Sequence, residues 1–442
     1  MSLATMFKLD ERKTNVKTEI IAGLTTFMTM AYILVVQPGA ICGYGPEAGI
    51  TDAAGVFISK EAIMVMTALI SGLITLLMGF YSNFPFALST GLGSNFMFGA
   101  LLASGECTFG RAMLITLVSG TIFVLLSIFG IRDIIVKMMP KSIKVSISAG
   151  IGFFIAYIGF KNTGIGSYVN GIAQGDFTDP AVLLAILGLI LIAVLTAYKV
   201  NGAMLIGIFA ITILGIPFGV TVLPDQFLKI PDFSAIGNIV FNFDATGFLA
   251  PSTFTLMFIV FVGDFFSTLG TVLGVGGKAG MLDENGNLPG IEKPFLVDAI
   301  GTCVGAMTGC TTITTYVEST AGVEAGGRTG LTAITTAVMF LISVFASPLF
   351  LMIPNAATGP ALIFVGFLMI SGIAQVDFND FTEAFGPFVM IMFCAFVGGI
   401  ASGIAAGILA YVFIKVATGR FKEVPVGMYI LAIPLILYFI FG

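Results

Sequence analysis

The chain has 442 residues, of which 57% are hydrophobic and only 10% are charged, with a formal net charge of −5 and no histidine. A mean hydropathy of +1.07 excludes a soluble enzyme, and the acidic balance without a basic tail argues against a nucleic-acid partner. The five cysteines are scattered without C-x-x-C spacing, so we expect neither a metal site nor a cofactor.

Apolar windows of about 17 to 25 residues recur along the chain, and each could cross the roughly 30 Å hydrocarbon layer of a bilayer as a helix. The polar N-terminal segment carries four cations within residues 8–17, so the positive-inside bias predicts a cytoplasmic N-terminus. No small-residue cleavage site follows the first window, and we therefore expect no removable signal peptide. The first seven windows cover 20–37, 61–80, 86–104, 111–130, 145–160, 181–198 and 203–218.

A second set of seven windows must begin on the opposite side of the membrane. These windows cover 252–275, 294–309, 312–326, 329–350, 358–373, 381–397 and 398–417. The pattern predicts an all-α polytopic membrane protein of about 14 transmembrane segments in two inverted seven-span repeats, an arrangement typical of secondary transporters. Two alternatives stay open at the C-terminus: residues 424–441 could form a fifteenth span, or the region after Phe381 could be one bent helix followed by the last crossing.

The third span of each half is predicted to be interrupted. LSTGLGSNFMFG at 88–99 occupies the place in the first half that TTITTYVESTAG at 311–322 occupies in the second. Gly91 and Gly93 weaken a helix by about 1 kcal/mol each, and β-branched threonines favour extended backbone. Irregular backbone survives at membrane depth only within protein or beside a water-filled cavity, so paired breaks indicate a substrate site.

Asp264 is the only charged residue between Ala245 and Gly277 and lies near the middle of its window. An aspartate at a helix centre costs about 2.5 to 3.5 kcal/mol, and such residues are usually retained for a transport pathway, a partner or a ligand. The structural alternative is a hydrogen bond to a neighbouring helix through Thr268 or a backbone amide. Ser267, one helical turn after Asp264, lies on the same predicted face.

Glu318 is the only charged residue between Asp298 and Glu324. Together with Thr315 it has the T-x-x-E spacing of a capping box, which predicts a short helix beginning at the break and could by itself explain the acid. We favour a functional role, because a capping box in mid-membrane marks a discontinuous helix. Asn95 and Ser94, beside Gly93, either contact substrate or cap the helix that follows the first break.

Four stretches together resemble the AzgA-like purine permeases of the nucleobase–cation symporter-2 family. They are TEIIAGLTTFMTMAYILVVQP, GLGSN, IGFFIAYIGFKNTGIG and TTYVESTAGVEAGGRTGLTA, in the family's own order along nearly the entire chain. The resemblance implies two inverted repeats divided between a core domain and a gate domain, a homodimer, and import of adenine, guanine or hypoxanthine with protons. The implied boundaries are 1–140 and 251–352 for the core domain, and 141–250 and 353–442 for the gate domain.

By position, the family's third-span asparagine, first eighth-span acid and tenth-span glutamate fall on Asn95, Asp264 and Glu318. Ser267 replaces the family's second eighth-span acid, and Gly263 stands where a hydrophobic residue is usual. We therefore expect substrate contacts from Asp264, Glu318, Asn95, Ser267, Ser94 and Thr315, with Asp264 and Glu318 also coupling transport to protons.

Other functions stay open from the residues alone. The chain could carry another nucleobase or an organic anion, be coupled to sodium, or act as an uncoupled facilitator on the same fold. An integral-membrane enzyme would need a nucleophile–base pair or a metal cluster, which a chain without histidine and with only two confident buried acids does not favour. We therefore expect a multi-pass protein of the cytoplasmic membrane and not an enzyme.

Overall fold

The computed structural model describes residues 3–44, 47–129, 139–168, 173–231, 233–283, 288–397 and 400–441, and these are mostly helical. The helices of the first half are α1 (Leu3–Phe7), α2 (Val16–Met30), α3 (Ile33–Cys42), α4 (Lys60–Leu77), α5 (Leu92–Ala103), α6 (Phe109–Ile128), α7 (Lys141–Asn162), α8 (Pro180–Ala197), α9 (Ala203–Gly215) and α10 (Phe233–Ile236). Those of the second half are α11 (Pro251–Lys278), α12 (Glu292–Thr308), α13 (Ser319–Glu324), α14 (Gly330–Ser343), α15 (Ser347–Leu351), α16 (Asn355–Ile370), α17 (Phe381–Phe396), α18 (Ile400–Ala417) and α19 (Val426–Phe441).

Short strands form three two-stranded antiparallel sheets among these helices. The strands are β1 (Gly49–Thr51), β2 (Phe57–Ser59), β3 (Leu88–Thr90), β4 (Gly166–Ser167), β5 (Ala173–Gln174) and β6 (Ile313–Thr315), paired as β1 with β2, β3 with β6 and β4 with β5. A π-helical turn (Met78–Ser82) extends α4, and 3₁₀ turns cover Val344–Ala346, Ser371–Gln375 and Phe421–Glu423. The pairing of β3 with β6 joins the two halves of the chain at the predicted breaks.

The helices coincide with the predicted apolar windows. Eight helical segments of the described chain are long and apolar enough to cross a membrane, and five shorter apolar helices accompany them. The prediction of a polytopic helical membrane protein is confirmed, whereas the count of 14 spans stays a prediction.

The C-terminal region contains two packed helices and not one bent helix. An added Cβ on Gly386 of α17 would lie 2.7 Å from Tyr411 of α18, and one on Gly407 would lie 2.4 Å from Met390. Since the contacts run in opposite directions along the chain, α17 and α18 form an antiparallel hairpin. The single bent helix considered from the sequence is therefore wrong, and α19 is a separate helix after the hairpin.

A buried carboxylate of α2 connects that helix to the beginning of α14. Glu19 of α2 is fully buried and accepts hydrogen bonds from the backbone N–H groups of Arg328 (2.9 Å), Thr329 (3.2 Å) and Thr332 (3.2 Å), and from the Thr332 hydroxyl (2.6 Å). The first N–H groups of a helix have no intrahelical partners. The carboxylate of Glu19 therefore supplies the hydrogen-bond acceptor for these N–H groups at the beginning of α14.

A charged cluster ties the end of α18 to the beginning of α17. The side chain of Lys415 is fully buried, and its ammonium lies 2.7 Å from carboxylate oxygens of both Glu383 and Glu423. Arg420 pairs with Asp380 at 2.7 Å. Hydrogen bonds from Arg420 and Lys415 lower the pKa of Glu423 to about 2, so its contribution to stability is present above about pH 4.5 and is lost as the pH falls towards 2.

Replacing Lys415 with glutamine is expected to lower the melting temperature of the detergent-purified protein by several degrees. The substitution leaves Glu383 and Glu423 facing each other without the buried cation that separates them. Lys422→Gln is the matched control, because Lys422 is exposed and has no acidic partner in the part of the chain that the structure describes. Equal melting temperatures for both variants and the wild type would show that the cluster does not stabilise the hairpin.

Candidate functional site

The two interrupted spans meet edge to edge. In the antiparallel pair of β3 and β6, Leu88 lies opposite Thr315 and Thr90 lies opposite Ile313. The pairing continues beyond the strands, since the Gly91 N–H donates to the Thr312 carbonyl (2.9 Å). Backbone groups freed by the two breaks thus satisfy one another inside the protein, which is the condition for non-helical backbone at membrane depth.

Hydrogen bonds between polar side chains hold the first break against the second. Ser94 lies in the first turn of α5, where its hydroxyl donates to the Gly91 carbonyl (2.9 Å) and contacts the Thr312 hydroxyl (2.6 Å). Asn95 is buried, donates to the Thr90 hydroxyl (3.1 Å) and accepts from the Thr311 hydroxyl. Asn95 therefore holds the break together, and its amide is already engaged on both sides.

Thr311 has an unusual backbone conformation at this junction. Its φ of 58° is in the left-handed region, which costs a β-branched residue conformational energy. The contact between its hydroxyl and the Asn95 side chain stabilises this geometry.

Glu318 ends the second break, but it does not belong to a capping box. α13 begins at Ser319, and the side chain of Glu318, the residue before it, makes no capping hydrogen bond. Thr315 instead lies in β6 and is turned towards α12. The capping box predicted from the T-x-x-E spacing is therefore wrong, because the Thr315 hydroxyl donates to Asp298 and the helix begins only at Ser319.

The carboxylate of Glu318 is oriented by a tyrosine from the first span. Tyr32, at the junction of α2 and α3, is buried and donates its hydroxyl to Glu318 Oε1 at 2.6 Å. Glu318 itself is only partly buried and is followed by the Ser319 hydroxyl, which accepts from the Ala87 N–H (3.0 Å). The second carboxylate oxygen of Glu318 is left free to accept hydrogen bonds.

Asp264 is held by α12 at the middle of α11. It is buried, and its Oδ2 accepts a hydrogen bond from the Thr302 hydroxyl at 2.7 Å. The partner considered from the sequence was Thr268, which instead donates to Asp298 Oδ2 at 2.8 Å. Asp264 Oδ1 is buried and has no hydrogen-bond partner among the described residues. An unsatisfied carboxylate oxygen is costly, and it leaves an acceptor for a proton or a ligand.

Asp298 is a third buried acid at the site, and sequence analysis did not identify it. Its Oδ1 accepts from both the backbone N–H (2.7 Å) and the hydroxyl (2.8 Å) of Thr315. Together with the bond from Thr268, these contacts fix β6 between α11 and α12. The signal in the sequence was an acid within the apolar window 294–309, close to that window's beginning.

Ser267 is separated from this cluster. It is exposed, and no hydrogen bond in the described chain joins it to Asp264 or Glu318. It shares an open face of α11 with Gly263, Gly270 and Gly274, where an added Cβ would meet no atom within 4 Å. The structure therefore brings Asp264, Asn95, Ser94 and Thr315 together around the paired strands with Glu318 at their edge, and leaves Ser267 exposed on the open face of α11.

The arrangement combines carboxylates with free acceptor oxygens and a rigid polar framework. Glu318 and Asp264 each keep one oxygen outside the internal hydrogen bonds, whereas both oxygens of Asp298 and both the oxygen and the nitrogen of the Asn95 amide are engaged. Such a site can accept hydrogen bonds from a small planar ligand and can take up a proton.

Comparison with known proteins places the whole chain among transport proteins. Residues 17–406 match the model of a family described as Permease family (Xan_ur_permease). The chain is 35% identical to the adenine permease AdeQ of Escherichia coli K12 over 434 residues, which cover 98% of this chain and 94% of the relative. It is also 35% identical to the guanine/hypoxanthine permease PbuG of Bacillus subtilis 168 over 452 residues, which cover 99% of this chain and 100% of the relative.

The fold is also similar to that of a solved transporter. The transmembrane domain of a cyanobacterial bicarbonate transporter, BicA, aligns with a TM-score of 0.58 and 16% sequence identity, covering 88% of this chain and 97% of that one. At this identity the likeness shows the fold alone.

Proposed function

The chain belongs to this permease family, and we propose that it imports purine nucleobases across the cytoplasmic membrane, coupled to protons, by alternating access. The relatives are permeases, so the chain is a transporter and not an enzyme. The observation that carries the proposal is the meeting of two interrupted helices beside carboxylates with free acceptor oxygens, in a chain 35% identical to adenine and guanine/hypoxanthine permeases.

Glu318 is the residue that we assign to the edge of the base. Guanine presents its N1–H beside an amino group, so one ionised carboxylate can accept two parallel hydrogen bonds from it. Adenine presents a donor beside an acceptor, which an ionised acid cannot satisfy and a protonated acid can. The bond from Tyr32 orients the carboxylate for this contact, and the choice of base is linked to its protonation.

Asp264 is the residue that we assign to proton coupling. Without histidine in the chain, proton transfer through side chains depends on carboxylates. Asp264 is buried with one oxygen unpartnered, and the Thr302 hydroxyl that donates to it accepts a hydrogen bond from the Ile313 N–H in β6 (3.3 Å). A change in its protonation therefore acts directly on the strand pair that carries the substrate site.

Alternating access requires the substrate-site helices to move against the rest of the bundle. Two contacts with α7 would change in such a movement. At Gly93, an added Cβ would be 3.1 Å from Ile151 of α7. The ring of Phe266 in α11 lies 5.4 Å from the Lys144 ammonium of α7. The proposed core domain (1–140 and 251–352) contains Gly93 and Phe266, and the gate domain (141–250 and 353–442) contains Ile151 and Lys144. We further propose a cytoplasmic N-terminus and a homodimer in the lipid bilayer.

A panel of bases tests the substrate class. Adenine, guanine, hypoxanthine, xanthine and uracil are each added to the purified protein, and its melting temperature is measured. We expect stabilisation by one or more of the three purines that the relatives' names give, since a ligand that binds only the native state raises its apparent stability. Uracil serves as the non-purine control. Stabilisation by uracil alone, or by none of the five, would contradict the purine assignment.

A further inference from the structure

A cavity of about 550 Å³ opens at the end of the helix bundle where α2 begins and α11 ends. It is separate from the strand pair that forms the substrate site. One wall comes from the N-terminal segment, another from the residues that flank the connection after α11, and a third from the loop before α14. The lining residues are Glu11, Arg12, Lys13, Phe84, Ala279, Gly280, Met281, Leu288, Pro289 and Arg328.

The cavity carries an excess of positive charge. Arg12, Lys13 and Arg328 line it against a single acid, Glu11, which is already paired with Lys8 at 3.2 Å. Arg12 lies over the Phe84 ring at 5.8 Å, and neither Arg12 nor Lys13 has an acidic partner among the residues that the structure describes. Three cations thus line this cavity with one acid, and this excess of positive charge favours binding of an anion.

We propose that this cavity binds a phosphate-bearing anion. Guanidinium groups match phosphate oxygens with paired hydrogen bonds, and cations contributed by two separate segments can contact different oxygens of one tetrahedral group. The apolar wall, which includes Met281, Leu288 and Pro289, suits the organic part of a phosphate ester. That ester can be a soluble cytoplasmic compound or the headgroup of an anionic phospholipid.

Arg328 connects this cavity to α13, the helix that begins directly after Glu318. Its Nη1 donates to the carbonyls of Val323 (2.6 Å) and Gly327 (2.7 Å), which lie at and just after the end of α13. The backbone N–H of Arg328 donates a hydrogen bond to the Glu19 carboxylate. An anion that contacts the remaining N–H groups of Arg328 therefore stabilises this arrangement of α13, and the ligand is expected to alter transport as well as stability.

The test measures the melting temperature of the full-length protein in a neutral detergent. Inorganic phosphate and adenosine 5′-monophosphate are the soluble probes, adenosine is the unphosphorylated control, and potassium chloride matches the ionic strength. The double variant Arg12→Gln/Lys13→Gln is expected to raise the half-saturating concentration at least about tenfold, equivalent to about 1.4 kcal/mol. The matched control is Lys17→Gln/Lys422→Gln, which removes the same charge from two exposed positions outside the cavity.

A second arm distinguishes the two sources of phosphate. The same proteins are reconstituted in nanodiscs of phosphatidylcholine with or without phosphatidylglycerol. A response to the soluble probes assigns the cavity to a soluble ester, and a response to phosphatidylglycerol alone assigns it to a lipid headgroup. The proposal is overturned if no phosphate compound stabilises the protein, if adenosine does so equally, or if both double variants lose the response to the same extent. These readouts do not involve transport, so they stand independently of the purine assignment.

Discussion

Replacing Glu318 with glutamine is expected to abolish saturable guanine uptake, with a loss of at least about a hundredfold, equivalent to roughly 2.8 kcal/mol. A glutamine side chain presents one acceptor oxygen and an amide donor, so it cannot accept two parallel hydrogen bonds from guanine. The hydrogen bond that the Tyr32 hydroxyl donates at 2.6 Å can still form with the amide oxygen of the glutamine. The NH2 group of the glutamine then faces the ligand and presents a donor to it. Uptake of radiolabelled base into proteoliposomes measures the effect.

The control for Glu318→Gln is Glu324→Gln. Glu324 lies at the other end of α13, is exposed, and pairs with Lys278 at 2.9 Å, so its exchange removes the same charge outside the site. Melting temperatures without ligand show whether either variant is misfolded, and we expect both to fold. Wild-type uptake by Glu318→Gln, or loss of uptake in both variants to the same degree, would remove Glu318 from the substrate site.

The contact between Tyr32 and Glu318 could not be predicted from the sequence. The breaks were predictable because glycines and β-branched threonines act on their own backbone, and each apolar window could be located by length. The bond between Tyr32 and Glu318 instead joins residues 286 positions apart, which only the packing of α2 beside the second break brings together. Glu19 and Arg328, 309 positions apart, are a second case of the same kind.

Acids near the ends of apolar windows were the other source of error. Asp298 and Glu19 lie at or near window boundaries, where a charged residue can reach water and carries no functional implication. Both are nevertheless fully buried, because neighbouring helices supply hydroxyl and backbone donors to them. The capping box at Thr315 failed for a related reason, since its side chain binds Asp298 and not the helix that follows.

Ser267 is the position at which this chain has a serine in place of the second eighth-span acid of the family. Ser267 is exposed on the open face of α11 and takes no part in the hydrogen bond between Asp264 and Thr302. An acid there would be a second carboxylate near the site but outside its internal hydrogen bonds. We propose that Asp264 serves proton coupling in this chain without that neighbour.

Replacing Asp264 with asparagine is accordingly expected to abolish proton-driven accumulation of the base. Asparagine has nearly the same volume and can still accept from Thr302, so the helix contact persists. Asparagine cannot exchange a proton, however. One atom of its amide group would occupy the place of the unpartnered Asp264 Oδ1, and that atom cannot change between donor and acceptor by taking up a proton. We expect accumulation at least about a hundredfold below wild type, equivalent to roughly 2.8 kcal/mol.

The measurement that isolates this role is accumulation in proteoliposomes under an inward proton gradient, compared with a sodium gradient and with no gradient. Asp10→Asn is the matched control, because Asp10 is exposed in the N-terminal segment and outside the site. Purine-dependent stabilisation should persist in Asp264→Asn, because Glu318 still binds the base, and this separates lost coupling from lost binding. Accumulation driven equally by either gradient or by none, or normal proton-driven accumulation in Asp264→Asn, would contradict the assignment of proton coupling to this carboxylate.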